Sequence, residues 1–331
     1  MLQGRGSVDQ TLIELDEGRE QGARDASKRS AGKRSLLLAV NGHASGIDDP
    51  GRTAAELVAI LEELDASADA VVTPREPELF QALRDAAMTG RRVVLVGGDG
   101  TLHAAANAPL DRLPELALVP LGRANNIARA LRIPTDRVGA LAVAAGAPAR
   151  PLDALRVETP AGTLYALEAV SAGFQAEARN GYDAENSADL RQGVRALARA
   201  LRDFSPHRIR ARLDGEELAS RAGAQLFLSN LPYFGFGFEV DPGADPADGR
   251  LEAILAEAPD RAALLRLLAA TYRGRHLGRP GVRRISARRA ELTEPLPLVA
   301  DAVPLGTTTA TVSVEPARLR VAAPPGPGGP A

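Results

Sequence analysis

Val93-Val-Leu-Val-Gly97-Gly98-Asp99-Gly100-Thr101 reads as a short apolar strand entering a glycine turn, followed by an alanine-rich helical stretch. A short apolar run bounded by glycine is consistent with a strand. Glycines let backbone N–H groups approach an anion closely, and the N-terminus of the next helix adds the positive end of its dipole. The turn is therefore a candidate phosphate cradle, although motifs this short also occur as ordinary strand-to-helix turns.

The surrounding sequence repeats the strand–helix unit. Apolar strands are expected at 36–40, 70–73, 93–96 and 116–119; Leu57, Ile60, Leu61 and Leu64 fall on one helix face, and Leu79, Phe80, Leu83 and Ala87 on another. Strands alternating with helices imply a parallel sheet wound right-handedly, with ligand loops at the strand C-terminal ends. After a helical stretch at 136–145, Gly146-Ala-Pro-Ala-Arg-Pro151 breaks the pattern. Beyond it, short strands are expected at 152–157, 164–170, 209–213, 226–229, 251–255, 284–292, 296–299 and 309–314, with helices near 189–203 and 260–273. That pattern suits a sandwich or barrel. The fold class is thus α/β in two domains: a mostly parallel nucleotide-binding domain at 35–150 and a β-rich, sandwich-like domain at 151–305. The segment 306–322 is expected to pack back on the first domain, and 1–34 and 323–331 to be flexible tails.

Composition removes several chemistries. The 331 residues include no Cys, which excludes disulfides, thiolate catalysis and Cys zinc sites. The four histidines are scattered without zinc-ligand spacing, and the only lysines, Lys28 and Lys33, precede the first strand. No Walker-A, Schiff-base or kinase strand lysine can therefore lie in the folded part. A net charge of −2 with 3% aromatics argues against a nucleic-acid partner. The sequence shows neither a signal-peptide core nor a spanning run, so a cytoplasmic protein is expected, with peripheral contact at the inner membrane face.

The glycine turn gains specificity from its neighbours. GGDGT followed by Pro120-Leu-Gly122-Arg-Ala-Asn125-Asn126-Ile-Ala-Arg-Ala-Leu131 resembles the diacylglycerol kinase catalytic-domain family. Asn41-Gly-His-Ala-Ser-Gly46, Thr73, Val170-Ser-Ala-Gly-Phe174 and Pro242-Gly-Ala-Asp-Pro-Ala-Asp248-Gly249-Arg-Leu251 are similar to further family segments, and the likeness extends over 35–322. The resemblance implies ATP and Mg2+ as cofactors and transfer of the γ-phosphate to the hydroxyl of a diacylglycerol-like lipid. Gly97, Gly98, Gly100 and Thr101 would cradle the phosphates, with Arg123 and Asn125 beside them. Asn41, Ser45 and Thr73 would border the nucleotide, and Asp99 would organise metal or phosphate geometry. It also implies a structural Mg2+ near the Asp-Gly turn, through the Asp248 carboxylate and the carbonyls of Asp245 and Arg250; a plain turn is the alternative reading there.

The departures from the family pattern fall on acids. His103-Ala104 stands where the family has Asn-Glu, Asn126 where it has Asp, and Val303 where its proton-accepting Glu aligns. Asp301, two residues away on an expected strand, would share a face with Val303 and is the nominated substitute base. A weakly catalytic nucleotide- or lipid-binding protein on the same scaffold is a second reading, and another GGDG-loop kinase, such as an NAD kinase, a third.

Between 261 and 289 lie nine Arg and no Asp or Glu, and Arg191, Arg195 and Arg199 form a stripe at spacing four. These suggest either a solvated face or attraction to an anionic membrane surface. The sequence sets no oligomeric state.

Overall fold

The computed structural model describes residues 35–180, 190–235 and 237–325. The tail at 1–34, most of the tail at 323–331 and the Arg191 side chain lie outside what is described. The chain folds as α/β with two domains, the second dominated by strands.

The first domain carries β1 (Ser35–Val40), β2 (Ser67–Val72), β3 (Arg92–Gly97) and β4 (Leu116–Pro120), paired in parallel in the order β2-β1-β3-β4. β3 and β4 are buried along their whole length, which explains their lack of polar alternation. Helices α1 (Pro50–Glu63), α2 (Glu76–Thr89), α3 (Asp99–Ala106), α4 (Asn126–Ala130) and α5 (Arg137–Gly146) complete the layers. Asp49 caps α1 by accepting from the Arg52 N–H, and Leu57 and Leu61 turn into the core. Buried Arg92 donates to the Ala144 and Ala147 carbonyls and pairs with Glu115, so the end of α5 is tied to β3.

The second domain comprises β5 (Ala149–Thr159), β6 (Gly162–Ala166), β7 (Ala169–Gly173), α6 (Phe174–Asn180), α7 (Leu190–Asp203), β8 (His207–Leu213), β9 (Glu216–Ser229), β10 (Tyr233–Phe234), β11 (Phe238–Glu239), β12 (Leu251–Glu257), α8 (Arg261–Tyr272), β13 (Val282–Ala287), β14 (Arg289–Ala300) and β15 (Val303–Ala322). Both β9 and β14 pair with β7 and with β8, so these four strands close on themselves around one apolar core. A register shift between Leu292 and Leu296 bends β14 between its two partners.

Three segments differ from expectation. The stretches 284–292 and 296–299 redistribute into β13 and a long β14, because the break falls at Arg288, whose amide goes to the Asp214 carboxylate. β15 runs unbroken across 305/306, and its last residues join the first sheet, with Val321 beside Leu116 of β4. One 13-stranded sheet therefore crosses the whole molecule, and Ala323, read as tail, is buried in the first core. Finally, the apolar run 164–170 is not one strand: Leu167 and Glu168 leave the sheet between β6 and β7.

Asp153 of β5 holds the strand junction. Its buried carboxylate accepts from the Gly249 and Ala317 amides at 2.8 and 2.7 Å. Asp153→Ala removes both acceptors and is expected to lower stability by about 3 kcal/mol, read by denaturant unfolding. A loss below about 1 kcal/mol would show that water replaces the carboxylate.

Candidate active site

The C-terminal ends of β1, β3 and β4 lie side by side, and their loops bind one another through the main chain. The Asn41 N–H donates to the Val96 carbonyl, the Leu121 N–H to Gly97, and the Gly46 N–H to Leu121. Asn41 Nδ2 donates to Thr101 Oγ1 at 2.8 Å, while Asn41 Oδ1 accepts from the His43 amide. A Cβ placed on Gly98 would stand 2.8 Å from Gly122 Cα, and one on Gly122 would stand 2.5 Å from Gly98 Cα. Two loops that touch backbone to backbone leave no room for side chains. Above them α3 begins at Asp99, and the first amides of a helix have no partner within it.

Each expected nucleotide residue has a definite place. Gly97, Gly98 and Gly100 form the turn. Thr101 is buried beneath it, so its hydroxyl braces Asn41. Asn125, at φ +50°, accepts from the Gly122 amide and donates to the Pro120 and Gly122 carbonyls, which makes it a scaffold of its loop. Thr73 is buried and donates to the Val40 carbonyl, tying the end of β2 to β1. Ser45 and Arg123 are exposed on the loops.

Behind the cradle lies a buried acidic cluster. Asp99 accepts from the Asn126 and Ile127 amides, each at 3.0 Å, and so caps α4. Burial raises the Asp99 pKa above the usual carboxylate range, and those amides pull against it. Asn126 Nδ2 donates to Glu168 Oε2 at 2.9 Å and to the Gly235 carbonyl at 2.7 Å, whereas Asn126 Oδ1 is buried with no hydrogen-bond partner. Glu168 is 7% exposed; burial, then the charges of Asp301 and Asp99, push its pKa well above the ordinary value.

Asp301 does not fit the role of substitute base. It sits in a two-residue turn joining β14 to β15, at φ +50°, and not on a strand, so alternation does not set it beside Val303. Its Oδ1 accepts from the Glu168 and Ala169 amides, and Oδ2 accepts from the Leu167 amide and meets His103 Nδ1 at 2.8 Å. Four N–H partners occupy a carboxylate that has about four lone-pair sites. Burial opposes a charged His103, but the hydrogen bond and charge of Asp301 outweigh it, and the imidazole pKa is raised.

The Asp-Gly turn is braced by local hydrogen bonds. Asp245 Oδ1 accepts from the Ala247 amide, Asp248 Oδ1 accepts from the Arg250 amide, and Asp153 holds Gly249. Both aspartates are exposed and engaged locally, and the described residues contain no cluster of three acidic or His side chains placed for a metal. The expected structural Mg2+ would use the Asp248 carboxylate and the carbonyls of Asp245 and Arg250; Asp248 Oδ2 takes no part in these bonds.

Both halves of the chain match known families. Residues 35–157 match the diacylglycerol kinase catalytic domain, and residues 168–323 match the YegS C-terminal NAD kinase beta sandwich-like domain. A "Probable lipid kinase YegS-like" protein of Xanthomonas oryzae pv. oryzae (strain MAFF 311018) is 31% identical over 281 residues, 80% of this chain and 90% of the relative. The chain belongs to the diacylglycerol kinase catalytic-domain family. It is therefore a kinase. The "Diacylglycerol kinase" of Bacillus subtilis (strain 168) is 28% identical over 193 residues, 56% of this chain and 61% of that protein. The crystal structure of a diacylglycerol kinase from Bacillus anthracis str. Sterne shares the fold, with a TM-score of 0.66, 16% identity and coverage of 88% of this chain and 97% of that one.

Of the acidic cluster, sequence reasoning named Asp99 and Asp301 but missed Glu168. The available signal was a single Glu inside the apolar run Leu164-Tyr-Ala-Leu-Glu168-Ala-Val170.

The His103–Asp301 pair predicts a pH signature. Because the folded His103 pKa is raised, its stabilisation is complete below the unfolded value near 6.5 and disappears as pH rises through the folded value. His103→Gln is expected to melt about 2–4 °C below the wild type at pH 5.5, with the gap narrowing at pH 9. An equal gap at both pH values would contradict the charged pair.

Proposed function

We propose that this kinase transfers the γ-phosphate of ATP, with Mg2+, to the hydroxyl of a diacylglycerol-like lipid. The observation that carries the reading is the backbone contact between Gly98 and Gly122 beneath the start of α3, a cradle that any Cβ would fill. Such a cradle suits a polyphosphate, since main-chain amides and a helix N-terminus supply donors without side-chain bulk. The amides of Gly98 and Gly100 bind the phosphates. Asn41 and Thr101 hold the turn, Ser45 and Thr73 border the nucleotide, and Arg123 lies on the rim of the Gly122 loop. Bound ATP supplies the phosphoryl group, and Mg2+ offsets its charge while held mainly by the phosphates and water. The names of the relatives above support the acceptor class.

The second domain supports a lipid surface as partner. On α8, Leu265 and Tyr272 are 53% and 67% exposed among the exposed arginines Arg261, Arg266 and Arg273. Apolar groups set among cations suit the boundary of an anionic bilayer. The run of nine arginines is not one open face, however: Arg284 pairs with Asp241 at 2.9 Å, and Arg289 with Glu291 at 3.0 Å. Among the described residues no helix is long and apolar enough to cross a membrane.

The test is incubation with γ-labelled ATP, Mg2+ and a panel of lipids in mixed micelles, followed by lipid extraction. Label on a diacylglycerol-like lipid is expected, and its absence from every lipid would overturn the reading. Gly98→Val should weaken ATP binding about tenfold or more in calorimetry, because the side chain displaces one loop from the other. Unchanged affinity would remove the cradle. For the surface, sedimentation with anionic vesicles is expected to fall steeply with salt, since exposed charges are screened over about 8 Å at physiological ionic strength. Equal partitioning onto neutral vesicles would count against it.

A further inference from the structure

The family resemblance implies acids at three positions where this chain has Ala104, Asn126 and Val303, the last in place of the proton-accepting Glu. The structure returns a carboxylate to this region from a different part of the chain. Glu168 reaches in from the break between β6 and β7, and its Oε2 lies 2.9 Å from Nδ2 of the asparagine that replaced one of those acids. We propose that Glu168 is the proton acceptor of phosphoryl transfer. The proposal rests on the ATP-to-lipid reading above.

Elimination within the cluster points the same way. Asp99 has each oxygen committed to an α4 amide, and Asp301 has each oxygen committed to two N–H partners. Glu168 is held by two donors, the Asn126 side chain and the Gly235 amide, against the four N–H groups on Asp301, and unlike Asp99 it caps no helix. It is also close to the phosphate cradle. The Asn126 amide binds Asp99, the first residue of α3, so one hydrogen-bonded residue separates Glu168 from the glycine turn. The same Asn126 Nδ2 also donates to the Gly235 carbonyl, just after β10. Glu168 thus stands where the nucleotide domain meets the domain carrying the proposed lipid surface. The buried, unpartnered Asn126 Oδ1 beside it leaves an acceptor open to a hydroxyl or water in the same place.

The chemistry balances with what the reading supplies. The lipid hydroxyl oxygen attacks the γ-phosphorus, and the new O–P bond forms as the bond to the bridging β,γ oxygen breaks. That electron pair leaves on ADP, and the hydroxyl proton passes to the Glu168 carboxylate. Glu168 is faced by Asp99 from α3, by Asp301 from the β14–β15 turn, by the Asn126 side-chain amide from α4 and by the Gly235 backbone amide after β10. Burial and the two negative charges raise its pKa, which strengthens its hold on the proton it takes from the hydroxyl.

Glu168→Gln, which keeps shape and the hydrogen bond from Asn126, is the test. Lipid phosphorylation is expected to fall about 10²- to 10⁴-fold in kcat with ATP affinity unchanged, and the acidic limb of the pH–rate profile to disappear. A separate readout needs no turnover. A carboxyl whose folded pKa is raised costs stability as pH rises above its unfolded value, so the melting temperature of Glu168→Gln relative to wild type should increase between pH 5 and pH 8. If the Gln variant fails to fold, Glu168→Asp keeps the charge but withdraws it by one methylene, and a partial loss of turnover with the acidic limb retained is expected. Wild-type turnover in either variant would overturn the assignment, as would a loss in Glu168→Gln with the acidic limb unchanged, which would mark a packing role. A wild-type protein that labels no lipid is a different result and sinks the lipid-kinase reading itself.

Discussion

The carboxylate of Asp301 joins three parts of the chain that have no other reason to meet. It gathers the amides of Leu167, Glu168 and Ala169 and the imidazole of His103. Without it, three main-chain donors at the break between β6 and β7 would be buried and unpaired, each at a cost of about 1–3 kcal/mol. The break is what lets Glu168 leave the sheet and turn toward Asn126. His103 lies on the helix that starts at the glycine turn, so the same carboxylate also fixes the second domain against the proposed phosphate cradle.

Burying three carboxylates together is expensive unless donors outnumber charges. Asp99 and Asp301 meet that condition, since between them they take five amides and one imidazole nitrogen. Glu168 does not, and it carries the consequence: its proton affinity rises because it is buried beside two anions, with only the Asn126 side chain and the Gly235 amide against them. The arrangement separates two roles by hydrogen bonding. Two acids are saturated by donors, and the third, with fewer, is the one proposed to exchange a proton.

The glycine turn, its parallel sheet and the β-rich second half were legible in the sequence because each rests on local pattern: glycine next to a buried strand, and period changing along the chain. The acidic cluster was legible only in part. Asp301 was noticed for its nearness in sequence to Val303, but its geometry depends on a two-residue turn and on amides more than 130 positions away. Glu168 was hidden by its own neighbourhood, since an apolar run with one charge scores as a strand. Likewise, 261–289 looked like an uncompensated basic segment because the Asp241 and Glu291 carboxylates that neutralise Arg284 and Arg289 lie outside it. Local patterns place backbone, whereas pairing across distant segments decides which charges are free.

That contrast bears on how such a site changes. A cradle made of main-chain amides is tied to its loops: Gly98 and Gly122 touch at their Cα atoms, so neither can be exchanged for a residue with a side chain while the contact lasts. A carboxylate has no such tie. It needs only an oxygen within reach of the reacting group and surroundings that set its proton affinity. An acid can therefore be lost from position 126 and regained from position 168 across a single hydrogen bond, with the amide and the carboxylate exchanging sides. The glycine turn then stays recognisable in the sequence, while the acidic positions around it diverge.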